Sequence, residues 1–237
     1  MRTIRYILIC VVSVMAMLPA RAGNGISVVP KGDFSVGAQF ANIRLDSDNS
    51  EFMLLLNPVS AEGKFFQFAP FFEYAYKENS TFGARLHLTN ATAVLDQVTI
   101  DLLNEGLSFD ISDLDTRMKS YGASVFHRNY FGLDPRGRVA VISELALTVS
   151  GGRTDYDFRN PGSDYSTSRK LNFSFSPGLV FYVMNNVSAM CTISMANISY
   201  NRVKCFSSGS ETGSREKFAS RFGVDLTGIN FGIGFHF

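Results

Sequence analysis

Four charged residues stand where charge is costly. Glu73, Arg85, Arg128 and Glu144 each fall on the small or polar parity of segments whose other parity is apolar and aromatic. Successive residues of a strand point to opposite faces, so the four side chains share whatever the polar faces enclose. If the turn at 77–81 centres near residue 79, Glu73 faces Arg85. If the 132–140 connection centres near 136, Arg128 faces Glu144. Charges taken from water must pair. The chemistry expected of this quartet is therefore structural: two Glu–Arg cross-strand pairs filling an interior.

Catalytic chemistry finds less support. A hydrolase or acyl-transferase would set one of the three histidines beside a serine and a carboxylate. Parity puts His87 on a polar face, His127 low in its segment on the opposite face, and His236 beside the chain's last residue. No triad assembles from these positions, so no catalytic residue is assigned. The stretch Asp96–Asp115 carries six carboxylates and no basic residue. It lacks the alternating Asp spacing, Gly and trailing Glu of a calcium loop and reads as a solvated acidic loop. Cys191 and Cys205 lie fourteen residues apart. That is about 45 Å of extended chain, against the ~6 Å a disulfide allows. Neither fits a zinc spacing. No metal or cofactor is expected.

The elements that position these residues read as eight alternating strands. Their cores are "DFSVGAQFAN", "KFFQFAPFFEYAY", "TFGARLHL", "SYGASVFHRNYF", "VAVISELALTV", "LNFSFSPGLVFYV", "VSAMCTISMA" and a closing strand from about Phe222. Pro70 and Pro177 fall inside the second and sixth and should mark bulges or weakened pairing, because proline cannot donate to a ladder. The connections alternate in length. Those near 77–80, 133–137 and 184–186 are short; those near 43–63, 90–118, 151–167 and 201–220 are long. A Greek-key sandwich gives no reason for that rhythm. An up-and-down barrel in an outer membrane does, with short periplasmic turns and long extracellular loops. "VLDQVTIDLL" within 90–118 is open between a short helix and a strand extension.

The front of the chain reads as an export signal. Arg2 and Arg5 precede an apolar run from Ile7 to Leu18, and Ala20 and Ala22 supply an A-x-A-like cleavage site. The run is too short for a membrane helix, which needs roughly 20 residues. Residues 1–22 are assigned as a cleaved signal peptide and 23–237 as one barrel domain. The remainder carries 19 basic and 21 acidic residues. Nucleic acid is not an expected partner, since it calls for a clustered basic face.

The chain ends on "NFGIGFHF", with Phe231, Ile233, Phe235 and Phe237 on one face. Together with "SVFHRNYFGL" and "SPGLVFYVMNNVSA", this ending resembles the small eight-stranded outer-membrane barrels of the OmpA/OmpX type from Gram-negative bacteria. The resemblance implies an all-β transmembrane barrel, monomeric, lodged in outer-membrane lipid. It also implies that the terminal apolar pattern is an assembly signal read by the outer-membrane assembly machinery. Its function would be a structural or surface-interaction role through the extracellular loops, with an unknown extracellular ligand and no enzymatic activity. A narrow porin-like channel and a lipid-A-modifying enzyme are the alternatives. Fold alone does not choose among them.

Overall fold

The computed structural model describes residues 26–47, 60–101, 108–156 and 164–237. Of these, the side chains of 42–47, 60–62, 94–101, 108–114 and 224–228 are not described. The proposed signal peptide and its cleavage site fall outside the described residues.

Eight strands follow in chain order: β1 (Phe34–Ser47), β2 (Ser60–Lys77), β3 (Ser80–Asp101), β4 (Ser108–Gly132), β5 (Val139–Tyr156), β6 (Asp164–Met184), β7 (Val187–Ser207) and β8 (Ser210–His236). Each pairs antiparallel with its neighbours in sequence, and β1 pairs with β8 to close an up-and-down barrel. Closure removes the two edges an open sheet would leave in the paired region. The seam is tight at its base. Phe34 and Phe237 exchange backbone hydrogen bonds of 3.1 and 2.9 Å. Their rings stack with centroids 5.4 Å apart. Phe237, one residue past the end of β8, is thus still hydrogen-bonded into the seam.

Alternation sorts the two faces as the sequence predicts. Phe34, Val36 and Phe40 on β1, Phe66, Phe68, Phe72 and Tyr74 on β2, and Phe231, Ile233 and Phe235 on β8 all point outward and are exposed. The buried core is the barrel interior instead. Near the short-turn end it holds Phe71, Phe126, Tyr130, Ile142 and Val180. Val29, from the segment preceding β1, joins them there.

The long connections need correction. Among the described residues, the ladder continues into both ends of 43–63, 90–118 and 151–167 and through 201–220. β3 and β4 stay paired out to Asp101↔Ser108, and β5 and β6 to Tyr156↔Asp164. The Val94–Asp101 part of "VLDQVTIDLL" extends β3. The closing strand starts at Ser210, not Phe222, after a two-residue turn in which Ser208 and Gly209 both have positive φ. That is the hairpin geometry whose twist matches its strands. These stretches escape a pattern reading because they project beyond the apolar band. With both faces wet, alternation fades while backbone pairing persists.

Both prolines disturb the ladder. Opposite Pro70 the β2–β3 pairing lapses between Phe68↔Leu88 and Phe71↔Arg85. At Pro177 the β6–β7 register shifts between Phe175 and Gly178. Above that bulge the inward parity of β7 passes from even to odd positions, so Asn197 and Asn201 line the interior beside Thr192 and Ser194. Cys191 and Cys205 both lie on β7 and are free thiols.

Candidate functional site

The interior is layered, and its middle layer contains the predicted quartet. Glu73 from β2, Arg85 from β3, Arg128 from β4 and Glu144 from β5 are all buried, Arg128 completely. They form one chain of charge. Arg128 donates through Nη1 to both oxygens of Glu73, at 3.1 and 3.0 Å, and through Nε to Glu144 at 2.7 Å. Arg85 grips Glu144 with both terminal nitrogens, at 2.9 and 2.7 Å. Forked contacts of this kind are the stronger class of charged hydrogen bond. Two cations and two anions leave the cluster neutral.

One expected pairing is not the one formed. Arg128 and Glu144 are register partners on β4 and β5. Glu73, however, faces Gly83, and Arg85 faces Phe71. The register differs by two from the expectation because the turn is Glu78–Asn79 alone, closed by Lys77↔Ser80, with an irregularity between Ala75 and Lys77. Asn79 takes the turn's left-handed position, φ 58°, which asparagine tolerates. Arg85 therefore reaches over β4 to Glu144, and Arg128 supplies the cation for Glu73.

Uncharged side chains complete the cluster, and sequence reasoning missed them. Glu73 also accepts from Ser35 at 2.9 Å, Thr81 at 2.9 Å and Tyr130 at 3.0 Å. Phe126 lies between the two arginines, whose guanidinium carbons sit 4.5 and 4.6 Å from its ring centre. Phe71 meets Phe126 edge-on at 6.2 Å. Such contacts favour a weakly hydrated guanidinium. A β-carbon at position 83 would collide with the Phe126 ring and Glu73, so Gly83 makes the room. The available signal was parity: Phe71 and Phe126 fall on the polar-facing positions of their strands, beside the charges.

Below the cluster the chain seals its own barrel. The Asn79 side chain accepts from the N–H of Val28 and Val29 and donates to the Ile26 carbonyl at 2.8 Å. Its backbone N–H donates to the Val29 carbonyl at 2.9 Å. Residues 26–33 are thereby pinned across the short-turn end, with Val29 buried. A depression of about 700 Å³ remains outside this plug, lined by Asp33, Arg136, Arg138, Tyr182 and His236 among others.

Above the cluster a vestibule of about 480 Å³ opens toward the long-strand end. Its walls are mostly hydroxyl and amide, including Thr148, Ser168, Asn172, Ser174 and Asn201. His87 stands at its floor, 2.9 Å from the Ser124 hydroxyl. The other histidines lie elsewhere. His127 bonds the Tyr76 hydroxyl at 2.9 Å on the outer face, and His236 meets the Ser188 hydroxyl at 2.7 Å near the plug. Each of these three partners is a hydroxyl. The acidic 96–115 stretch lies partly outside the described residues; its described portion continues β3 and β4.

No family model and no curated protein sequence matches the chain. Among solved structures, the arrangement is similar to Ail, the attachment invasion locus protein of Yersinia pestis. That match is 12% identical, covers 87% of this chain and 99% of that one, and has a TM-score of 0.38. The outer membrane protein OprG from Pseudomonas aeruginosa is 11% identical over 88% and 97%, with a TM-score of 0.43. The outer membrane protease OmpT from Escherichia coli is 9% identical over 87% and 94%, with a TM-score of 0.40. The barrel assignment rests on the chain's own closed ladder.

Proposed function

We propose that the chain is an exported, integral outer-membrane barrel with a closed lumen, acting without catalysis as a structural or surface-interaction protein. The observation that carries the membrane reading is the outer face. On β5 the outward apolar residues are Val139, Val141, Leu147 and Val149, and on β2 they are Phe66, Phe68, Phe72, Tyr74 and Tyr76. About 9–11 tilted strand residues cross a bilayer core. In water so wide an apolar surface would aggregate; in lipid it is the favoured solvent. Closure supports the same reading, because a lipid-exposed strand edge would leave backbone groups unsatisfied.

On this reading the short turns are periplasmic and the strand extensions extracellular. The extensions then offer the surface through which an external ligand would be met. The lumen supports a sealed body. The charge cluster, with Phe71 and Phe126, fills the middle, and residues 26–33 close the base. The vestibule above favours one rival, a narrow conducting path through a rearranged cluster. Refolding into planar bilayers tests both. A silent membrane with a heat-modifiable, protease-resistant barrel is expected. Discrete single-channel steps would replace the sealed reading with the channel. Recovery as soluble periplasmic material would refute the membrane barrel.

A further inference from the structure

Just beyond the apolar band, the first charged outward residue is basic on five strands: Lys64 on β2, Lys119 on β4, Arg153 on β5, Arg169 on β6 and Arg202 on β7. The ladder sets these cations against one another. Lys119 is the register partner of Arg153, and Arg169 that of Arg202. Arg44 likewise pairs in register with Lys64. Like charges directly opposite on one face destabilise a sheet. Part of the charge is answered within the chain: Arg153 pairs with Asp155 at 2.6 Å, and Arg202 lies 3.6 Å from Glu216. Among the described residues, Lys119 and Arg169 have no such partner.

The level of the belt identifies what would answer it. One outward step below, toward the apolar band, come Tyr121, Leu171 and Tyr200, with Tyr121 71% exposed. Aromatic residues at this height mark the boundary between acyl chains and headgroups, and long basic side chains reach from it into the headgroup layer. We propose that the β4–β7 belt is a binding site for lipid-borne phosphate. Its ligand is a phosphorylated glycolipid of the outer leaflet, with acyl chains against the apolar band and phosphates bridging the opposed cations. Continuity with the band selects a lipid over a soluble anion. The proposal rests on the membrane reading above.

The test uses the refolded full barrel in zwitterionic vesicles or detergent, with bisphosphorylated lipid A, its dephosphorylated form and inorganic phosphate as probes. Retained lipid is counted by native mass spectrometry. The wild type should retain the phosphorylated form preferentially, less so as salt rises. Inorganic phosphate at matched concentration should not displace it. Removing two unanswered cations in Lys119→Gln/Arg169→Gln should weaken retention roughly thirtyfold, at about a tenfold-scale loss or less per basic residue. Folding in zwitterionic vesicles should be unimpaired, and the charge-keeping Lys119→Arg/Arg169→Lys should bind as the wild type does. Equal retention of the two lipids by the wild type, or displacement by inorganic phosphate, would overturn the site while leaving the barrel in its membrane. Failure of the wild type to insert at all would overturn the membrane reading itself.

Discussion

Replacing Arg128 with methionine is the sharpest perturbation of the interior. Arg128 is fully buried and is, among the described residues, the only cation hydrogen-bonded to Glu73. In Arg128→Met, Glu144 keeps its forked contact with Arg85. Glu73 keeps the hydroxyls of Ser35, Thr81 and Tyr130 but loses its counter-charge. Breaking a buried pair in this way costs about 3–5 kcal/mol, because one charge is stranded. That is a large share of the ~5–15 kcal/mol of a typical fold. The second change follows from the same arithmetic of charge. Glu73→Gln added to Arg128→Met restores neutrality; the amide oxygen can still accept from Ser35 and Tyr130, and the amide nitrogen can donate to the Thr81 hydroxyl, which accepts as readily as it donates. The double variant should recover about 2–3 kcal/mol relative to Arg128→Met alone. Urea unfolding in lipid vesicles, followed by far-ultraviolet circular dichroism, gives the free energies where the transitions are two-state and m-values match. A loss below about 1 kcal/mol for Arg128→Met would refute the view that this ion network is a tightly coupled part of the interior. So would a double variant no more stable than Arg128→Met.

Three further outcomes follow from the packing. Gly83→Ala places a β-carbon against the Phe126 ring, Glu73 and the Phe72 carbonyl. It should destabilise by about 1–3 kcal/mol in the same assay, as overpacking does. Asn79→Gly keeps the left-handed turn but deletes the three side-chain bonds to Ile26, Val28 and Val29. Amide exchange over residues 26–33 should rise by roughly tenfold or more while the strands stay protected, as expected for local opening worth about 1.4 kcal/mol. In bilayer-inserted protein, a membrane-impermeant maleimide should label the exposed Cys205 and spare Cys191, which sits half-buried on the outward, apolar parity of β7. Equal labelling of both thiols would contradict the assigned band.

The sequence makes the barrel legible because one face of every strand answers to a single solvent. Eight runs of outward apolar residues, punctuated by three short turns, suffice to predict the strand count and antiparallel order. Register is harder. A β2–β3 turn centred on residue 79 sets Glu73 against Arg85. The observed pairing turns on one irregular residue near Tyr76 and a two-residue turn. Neither leaves a mark in the apolar pattern, since a slip of two preserves every face. The Arg128–Glu144 geometry was legible because the β4–β5 connection centres where expected. The strand extensions were hidden for the opposite reason: their faces meet the same medium, so nothing in the side chains records the ladder.

The slip of two also explains why the interior is a network rather than two separate pairs. In the expected register, Glu73–Arg85 and Arg128–Glu144 would each be neutral, and hydrophobic shapes could replace either without disturbing the other. In the observed register, Arg85 is separated from Glu73 and must reach Glu144, so Arg128 serves both carboxylates at once. The aromatic Phe126 fills the space that Gly83 leaves open between the two guanidinium groups. Each strand from β2 to β5 thus contributes one charge that no adjacent pair can satisfy alone. A buried ion network is weak evidence for stability, but it penalises any arrangement that strands one member. Sliding β3 by two along β2 would exchange Gly83 for Arg85 opposite Glu73 and press side-chain volume into the place of the Phe126 ring. The same residues that seal the lumen therefore select the register, which apolar alternation by itself leaves undetermined.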